Sequence, residues 1–492
     1  MQVRSSVLGG MLRRMDLLAD LFIDGQWRPG SGGERFDVVD PSDGSVITRF
    51  AVATEADCHA AVDAAAAAQE GWAATAPRER SELLRAAFEL LTDEAEALAE
   101  VMVRENGKAW ADAAAEASYA TEFFRWFAEE AVRVPGDDRL SPAGDKRIVV
   151  DHHPIGVSLL ITPWNFPAAM ATRKLAPALA AGCAVVLKPA RETPLTAAYV
   201  VEALRRAGVP RGVVNLVTPV PTGPGVAAML ARDEVRKLSF TGSTEVGRDL
   251  LRLAADRVVS ASMELGGNAP LIVLPGADLD TAVAGAVQAK MRNGGAACTA
   301  ANRLYVHSSL HDAFVERMAA ELAALRVGPG LDRGNGLGAL VSTAERDKVA
   351  HLVEAAVADG ATVVTGGPGA PVPDGGAFYP ATLLTDVRHG SPVTEQEVFG
   401  PVAPIVRYDD VDDAVRMAND TIHGLVAYVF GEERAALAVA RRLESGMVAV
   451  NRGVLSDPAA PFGGVKQSGL GREGGFDGIG EFLETQYIAL TA

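Results

Sequence analysis

The stretch Met291 to Thr299, MRNGGAACT, sets a lone cysteine, Cys298, behind two glycines and two alanines. Small residues ahead of a thiol let a substrate come close to the sulfur, as a nucleophile requires. Taken alone, a buried and inert cysteine is the more ordinary reading. Four other stretches change that balance. In TPWNFP, residues 162–167, Asn165 stands between two aromatics and two prolines, so its amide is held rigidly and can donate to an oxyanion. Lys188-Pro189 leaves a lysine where the proline stops a strand. FTGSTEVG, residues 240–247, runs a strand through Gly242 into a helix, where backbone N–H groups and the Ser243 hydroxyl can receive a pyrophosphate. MELGGN, residues 263–268, ends an apolar strand on Glu264, where partial desolvation would raise the carboxyl pKa into the range of a general base. A structural Asn, a solvated lysine and an ordinary strand-end glutamate would each look the same in isolation.

These residues need elements that bring them together. Apolar runs at 155–161, 184–187, 213–217, 236–240 and 258–262 alternate with helical stretches at 168–181, 194–207, 222–231 and 243–255. Alternation of this kind predicts βαβ units and a parallel sheet, which binds ligands at the carboxyl ends of its strands. Ahead of it, Thr54 predicts the cap of a helix through Trp72, Glu79 to Asn106 reads as a second helix, and Trp110 to Val132 as a third. Val134 to Asp145 reads as an excursion or boundary, and a second α/β block runs from about Ala269 to about Val450. Glu481 to Ala492 reads as a strand that would be an exposed edge in a monomer, which points to a partner subunit.

Composition narrows the class. At 492 residues the chain is too long for one core. Its 48% hydrophobic and 22% charged content is that of a globular protein. A net charge of −17 argues against nucleic acid or an anionic membrane as partner, and no apolar run has the length of a membrane span. Three cysteines give no disulfide framework and fit a reducing cytoplasm. The first residues resemble a targeting sequence weakly, without a long apolar core, and read as a ragged N-terminal extension. His307 and His311 are spaced like metal ligands but lack a third candidate, so they are expected at the surface, as are His152 and His153; no metal is expected.

Taken with Glu397-Val398-Phe399-Gly400-Pro401 and PFGGVKQSGLGRE, these motifs resemble the aldehyde dehydrogenase superfamily over nearly the whole chain. The resemblance implies an α/β fold: a Rossmann-type cofactor domain (residues 17–123 and 147–263), an α/β catalytic domain (264–467) and a small β oligomerisation element (124–146 and 481–492). It implies Cys298 as nucleophile, Asn165 with the Cys298 N–H as oxyanion hole, and Glu264 as base. It also implies Thr162, Trp164, Lys188, Arg191, Gly242, Ser243, Glu397 and Phe399 around the cofactor, and a homodimer or homotetramer. Ala296 stands where members commonly have Gln, so one loop-bracing side chain is absent.

The closest likeness is to the succinate-semialdehyde branch, where residues matching Arg173, Arg292 and Ser456 hold the substrate's carboxylate. Two guanidiniums and a hydroxyl near the thiol suit such a group, unless either arginine is taken up by a structural carboxylate. Arg191 stands where many NAD-preferring members carry Glu. It removes a charge that would repel a 2′-phosphate, so NADP is expected over NAD. Another aliphatic or aromatic aldehyde is the alternative substrate. A non-catalytic binding protein on the same fold is the alternative of a different class.

Overall fold

The computed structural model describes residues 18–492. The expected N-terminal extension lies outside the described residues. The first sheet has the strand order Gly469–Leu470, Ser260–Glu264, Val235–Thr241, Val157–Ile161, Val185–Lys188, Val214–Leu216, Leu21–Ile23, Gln26–Arg28. The five strands from Ser260–Glu264 to Val214–Leu216 are parallel. In chain order the parallel part of the sheet starts at Val157–Ile161, grows to one side, then returns to add Val235–Thr241 on the other. The reversal opens a crevice between those two strands, the place where such sheets bind ligands. TPWNFP follows one of these strands and Gly242-Ser243 the other.

The expected strands and helices of this region occur within two residues of their predicted bounds. The strand VSLLI is buried at every position, as a sheet covered on both faces requires. The helix Pro167–Ala181 begins on a proline and stops at Gly182, in the left-handed region at φ 97°. All its side chains are buried, Arg173 and Lys174 included, so both cations need partners inside the protein.

Ahead of the sheet, Thr54 caps Glu55–Ala74 through a capping box with Asp57. The single helix expected over 79–106 is two, Pro77–Asp93 and Ala95–Asn106, broken at Glu94. Its carboxylate accepts from Tyr199 Oη at 2.6 Å and Arg206 Nη1 at 2.9 Å, anchoring the break to a later helix. Trp110–Glu130 runs without interruption across residue 123.

A second sheet, in the order Thr362–Thr365, Thr382–Thr385, Val402–Tyr408, Ala301–His307, Ala269–Val273, Val426–Phe430, Met447–Val450, forms the other α/β block. The segment expected as a boundary carries the strand Asp137–Leu140, which joins Lys146–Pro154 and the C-terminal strand Leu483–Thr491 in a separate three-stranded sheet. Leu483–Thr491 is an edge of that sheet and exposes Tyr487, Ile488 and Leu490. Among the described residues no helix is long and apolar enough to cross a membrane.

Candidate active site

The turn after Val157–Ile161 is pinned from three sides. Asn106 Nδ2 donates to the Trp164 carbonyl at 2.9 Å, and Lys108 Nζ and Asn293 Nδ2 each donate to the Asn165 carbonyl at 2.8 Å. Lys108 pairs with Glu116 at 2.5 Å, and Glu116 accepts the N–H groups of Ala168 and Ala169 at the start of the next helix. With its backbone fixed, Asn165 extends Nδ2 to the Ala296 carbonyl at 3.2 Å. That bond uses one amide hydrogen and leaves the other for an oxyanion.

Cys298 lies in the turn closed by Ala300 N–H to the Ala297 carbonyl at 2.9 Å. Its own N–H has no protein acceptor among the described residues. The turn is clamped on two sides. At Gly295 (φ +75°) an added Cβ would lie 2.1 Å from the Gly400 carbonyl, and at Gly267 it would lie 2.3 Å from the Cys298 carbonyl. Asn293 braces the loop at Ala296, its Nδ2 also donating to the Ala296 carbonyl at 2.9 Å. Cys58 and Cys183 are buried, whereas Cys298 is half-open. Desolvation, and after it the Glu397 carboxylate, push the Cys298 pKa up to about 12; the charges of Arg173 and Arg292 pull it back.

Glu264 ends its strand as expected, and its carbonyl accepts the Gly242 N–H at 3.0 Å, so base and phosphate turn share one strand end. Its carboxyl is buried with Oε2 unpartnered. Burial first, then the nearby Glu473, raise its pKa well above the carboxylate range. Lys174 and Glu473 were not singled out in the sequence. They form a buried pair at 2.5 Å across 299 residues of chain, and Lys174 also donates to Ser239 Oγ at 2.9 Å. The one available signal was a second cation directly after Arg173 in an otherwise apolar helix.

A cleft of about 460 Å³ opens above the thiol, lined by Trp164, Ser243, Glu397, Phe399 and His423. Trp164 and Phe399 meet edge to face at 5.5 Å. Ser243 caps the helix Thr244–Ala255, and Glu397 Oε1 accepts the Gly267 N–H at 3.1 Å. Thr162 joins its turn to the Lys188 carbonyl at 3.1 Å. The Lys188 side chain is buried at its strand tip and makes no hydrogen bond to a described residue, and burial lowers its pKa to about 8. The buried Thr241 Oγ1 likewise lacks a partner. An orphaned hydroxyl and a helix N-terminus lining the cleft, with a buried lysine at a strand tip of the same sheet, fit a dinucleotide. Arg191 is exposed, its guanidinium 5.4 Å from the centre of the Phe36 ring.

Arg173 is 2% exposed; its Nη2 donates to Tyr119 Oη at 2.6 Å, and its Nε lies 3.6 Å from Glu473 Oε2. A structural carboxylate therefore shares this arginine. Arg292 Nη2 donates to Thr299 Oγ1 at 3.2 Å. Both arginines act on the thiol's electrostatics, while no contact joins Ser456 to either among the described residues. The histidines expected at the surface differ: His307 caps the helix Ser308–Ala323, and His311 is buried, its Nδ1 2.8 Å from Asp312. His311 belongs to the face of that helix that packs inward, which its four-residue spacing from His307 does not reveal.

A parallel-sheet crevice facing a half-open thiol, with an amide and a carboxyl beside it, defines a dinucleotide-dependent thiol-catalysis architecture. The family model of the aldehyde dehydrogenase family matches residues 27–488, and the chain belongs to that family. It is 50% identical over 447 residues to the succinate-semialdehyde dehydrogenase of Paenarthrobacter nicotinovorans, covering 90% of this chain and 99% of that one. It is 45% identical to the glutarate-semialdehyde dehydrogenase of Pseudomonas putida, covering 96% and 97%. The crystal structure of an Escherichia coli NADP-dependent enzyme superposes with a TM-score of 0.94 at 44% identity, covering 96% of this chain and 98% of that one.

Proposed function

We propose that this chain is an NAD(P)-dependent dehydrogenase that oxidises succinate semialdehyde, or a similar aldehyde with a distal carboxylate, to the acid. The observation that carries the reading is the half-open Cys298 at the base of the cleft, with the charges of both Arg173 and Arg292 acting on it. The likeness to semialdehyde dehydrogenases supports it.

In this mechanism the thiol, neutral at rest, loses its proton to Glu264 in its ionised form, whose raised pKa makes it the stronger base. The thiolate attacks the aldehyde carbon, and the carbonyl oxygen becomes an oxyanion facing Asn165 Nδ2 and the Cys298 N–H. Trp164, Lys188, Ser243, Glu397 and Phe399 would hold a dinucleotide, which would supply the acceptor for the hydride lost from the tetrahedral carbon as its C=O re-forms. Cys298 is left as a thioester. Once it has passed the thiol proton on to solvent, Glu264 takes a proton from water, hydroxide adds to the thioester carbon, the C–S bond breaks, and the acid leaves as Cys298 recovers that proton from Glu264.

The domain limits proposed are those of the sequence reading, with residues 17–123 and 147–263 for cofactor, 264–467 for catalysis, and 124–146 and 481–492 for assembly. The exposed apolar edge of Leu483–Thr491 supports a homodimer or homotetramer. NADP is favoured by Arg191 and by the NADP-dependent structural relative. Sparse, unpaired cysteines favour a cytoplasmic setting.

The test is reduced-cofactor formation with succinate semialdehyde and either dinucleotide. Cys298→Ala should abolish it while dinucleotide still binds. Glu264→Gln should give one burst equivalent and then stall. Turnover above a few per cent in Cys298→Ala would remove the thiol from the mechanism.

A further inference from the structure

The carboxylate-binding assignment leaves a problem at Arg173. Its guanidinium is 2% exposed and packed over the rings of Phe462 at 4.2 Å, Phe123 at 5.1 Å and Tyr119 at 5.9 Å. A group so enclosed has little surface to offer a ligand. Tyr119, by contrast, is only half-buried.

The hydrogen bond between them is directional. Arg173 has donors only, so Tyr119 Oη accepts at 2.6 Å, and the phenolic hydrogen must point elsewhere. Among the described residues no acceptor takes it. The phenol ring is steadied by an edge contact with Phe123 at 5.1 Å. Accepting from a guanidinium also makes the phenol a stronger donor.

Charge balance points the same way. Arg173 and Lys174 are two buried cations sharing Glu473. The neighbouring Glu264 is held toward its neutral form by burial. The cluster thus keeps an excess positive charge that an incoming carboxylate would neutralise.

We propose that Tyr119 is a specificity-determining residue whose hydroxyl, polarised by Arg173, donates directly to the distal carboxylate of the aldehyde. This rests on the semialdehyde reading above. Arg173 then serves as the charge behind the donor, and its packing among rings keeps that charge in place.

Tyr119→Phe removes the hydroxyl and keeps the ring. The measurement is kcat/KM for succinate semialdehyde and for butanal, at saturating dinucleotide. The ratio of the two should fall roughly ten- to hundred-fold in the variant, mainly through KM, as expected for one hydrogen bond to a charged group. Inhibition by succinate should weaken by a similar factor. In an Arg173→Leu background the same substitution should still lower the ratio. Silence there would mean that the phenol acts only by holding Arg173, and would overturn the direct contact. A selective parent enzyme whose ratio survives Tyr119→Phe would overturn the Tyr119 assignment alone. A parent enzyme that does not prefer the semialdehyde would overturn the carboxylate reading, and this proposal with it.

Discussion

Gly267 lies so tightly under Cys298 that a Cβ added to it would sit 2.3 Å from the cysteine's carbonyl oxygen. The same glycine donates its N–H to Glu397 and stands three residues after Glu264. One backbone turn therefore sets the nucleophile, the base and a cofactor-lining carboxylate relative to one another. Gly267→Ala must displace the Cys298 turn, and a shift approaching 1 Å at a reacting atom can cost about a hundred-fold in rate. The substitution should lower kcat by about that factor while the thermal transition remains cooperative. Wild-type kcat in a folded variant would mean that the turn yields without moving the sulfur.

The thiol should titrate late. Burial and Glu397 raise its pKa to about 12, so the thiolate fraction grows about ten-fold per pH unit through the neutral and mildly alkaline range. Alkylation of Cys298 in the dinucleotide-free protein should rise in that way from pH 7 to 9 without levelling. Arg173→Leu removes a charge that favours the thiolate, and should slow alkylation at every pH in that range. A plateau below pH 8 would contradict the electrostatic picture.

Arg173 and Arg292 should matter most for aldehydes that carry a carboxylate. Removing one partner of a buried charge pair typically costs about 2–5 kcal/mol, or roughly thirty-fold and more in kcat/KM. Replacing either by Leu should impose that loss on succinate semialdehyde and a much smaller one on butanal. Equal losses on both substrates would assign the arginines to the fold, with Glu473 as the structural partner of Arg173.

Arg191→Glu should turn cofactor preference from NADP toward NAD. The exposed guanidinium beside Phe36 is free to meet a 2′-phosphate, whereas a carboxylate there would repel it. The measurement is the ratio of kcat/KM for the two dinucleotides. An unchanged ratio would separate Arg191 from that phosphate.

Much of this site was legible in the chain because its parts sit at strand ends. Short apolar runs broken by Pro or Gly mark where parallel strands stop, and the rule that ligands bind there singled out Asn165, Lys188, Ser243 and Glu264. The capping box at Thr54 and Asp57 was equally local, since both partners lie within one helical turn. Family resemblance, rather than spacing, attached roles to Glu397, Phe399, Arg173 and Arg292. What only the tertiary structure decided are contacts between distant segments. Lys174 meets Glu473 across 299 residues, Tyr119 meets Arg173 across 54, and Asn293 braces the Asn165 carbonyl across 128. The break at Glu94 belongs with them, because helical periodicity continues through it and the residues that anchor it lie on a later helix. Periodicity shows which face of an element is buried; which side chain waits on the other side is set by how the layers pack.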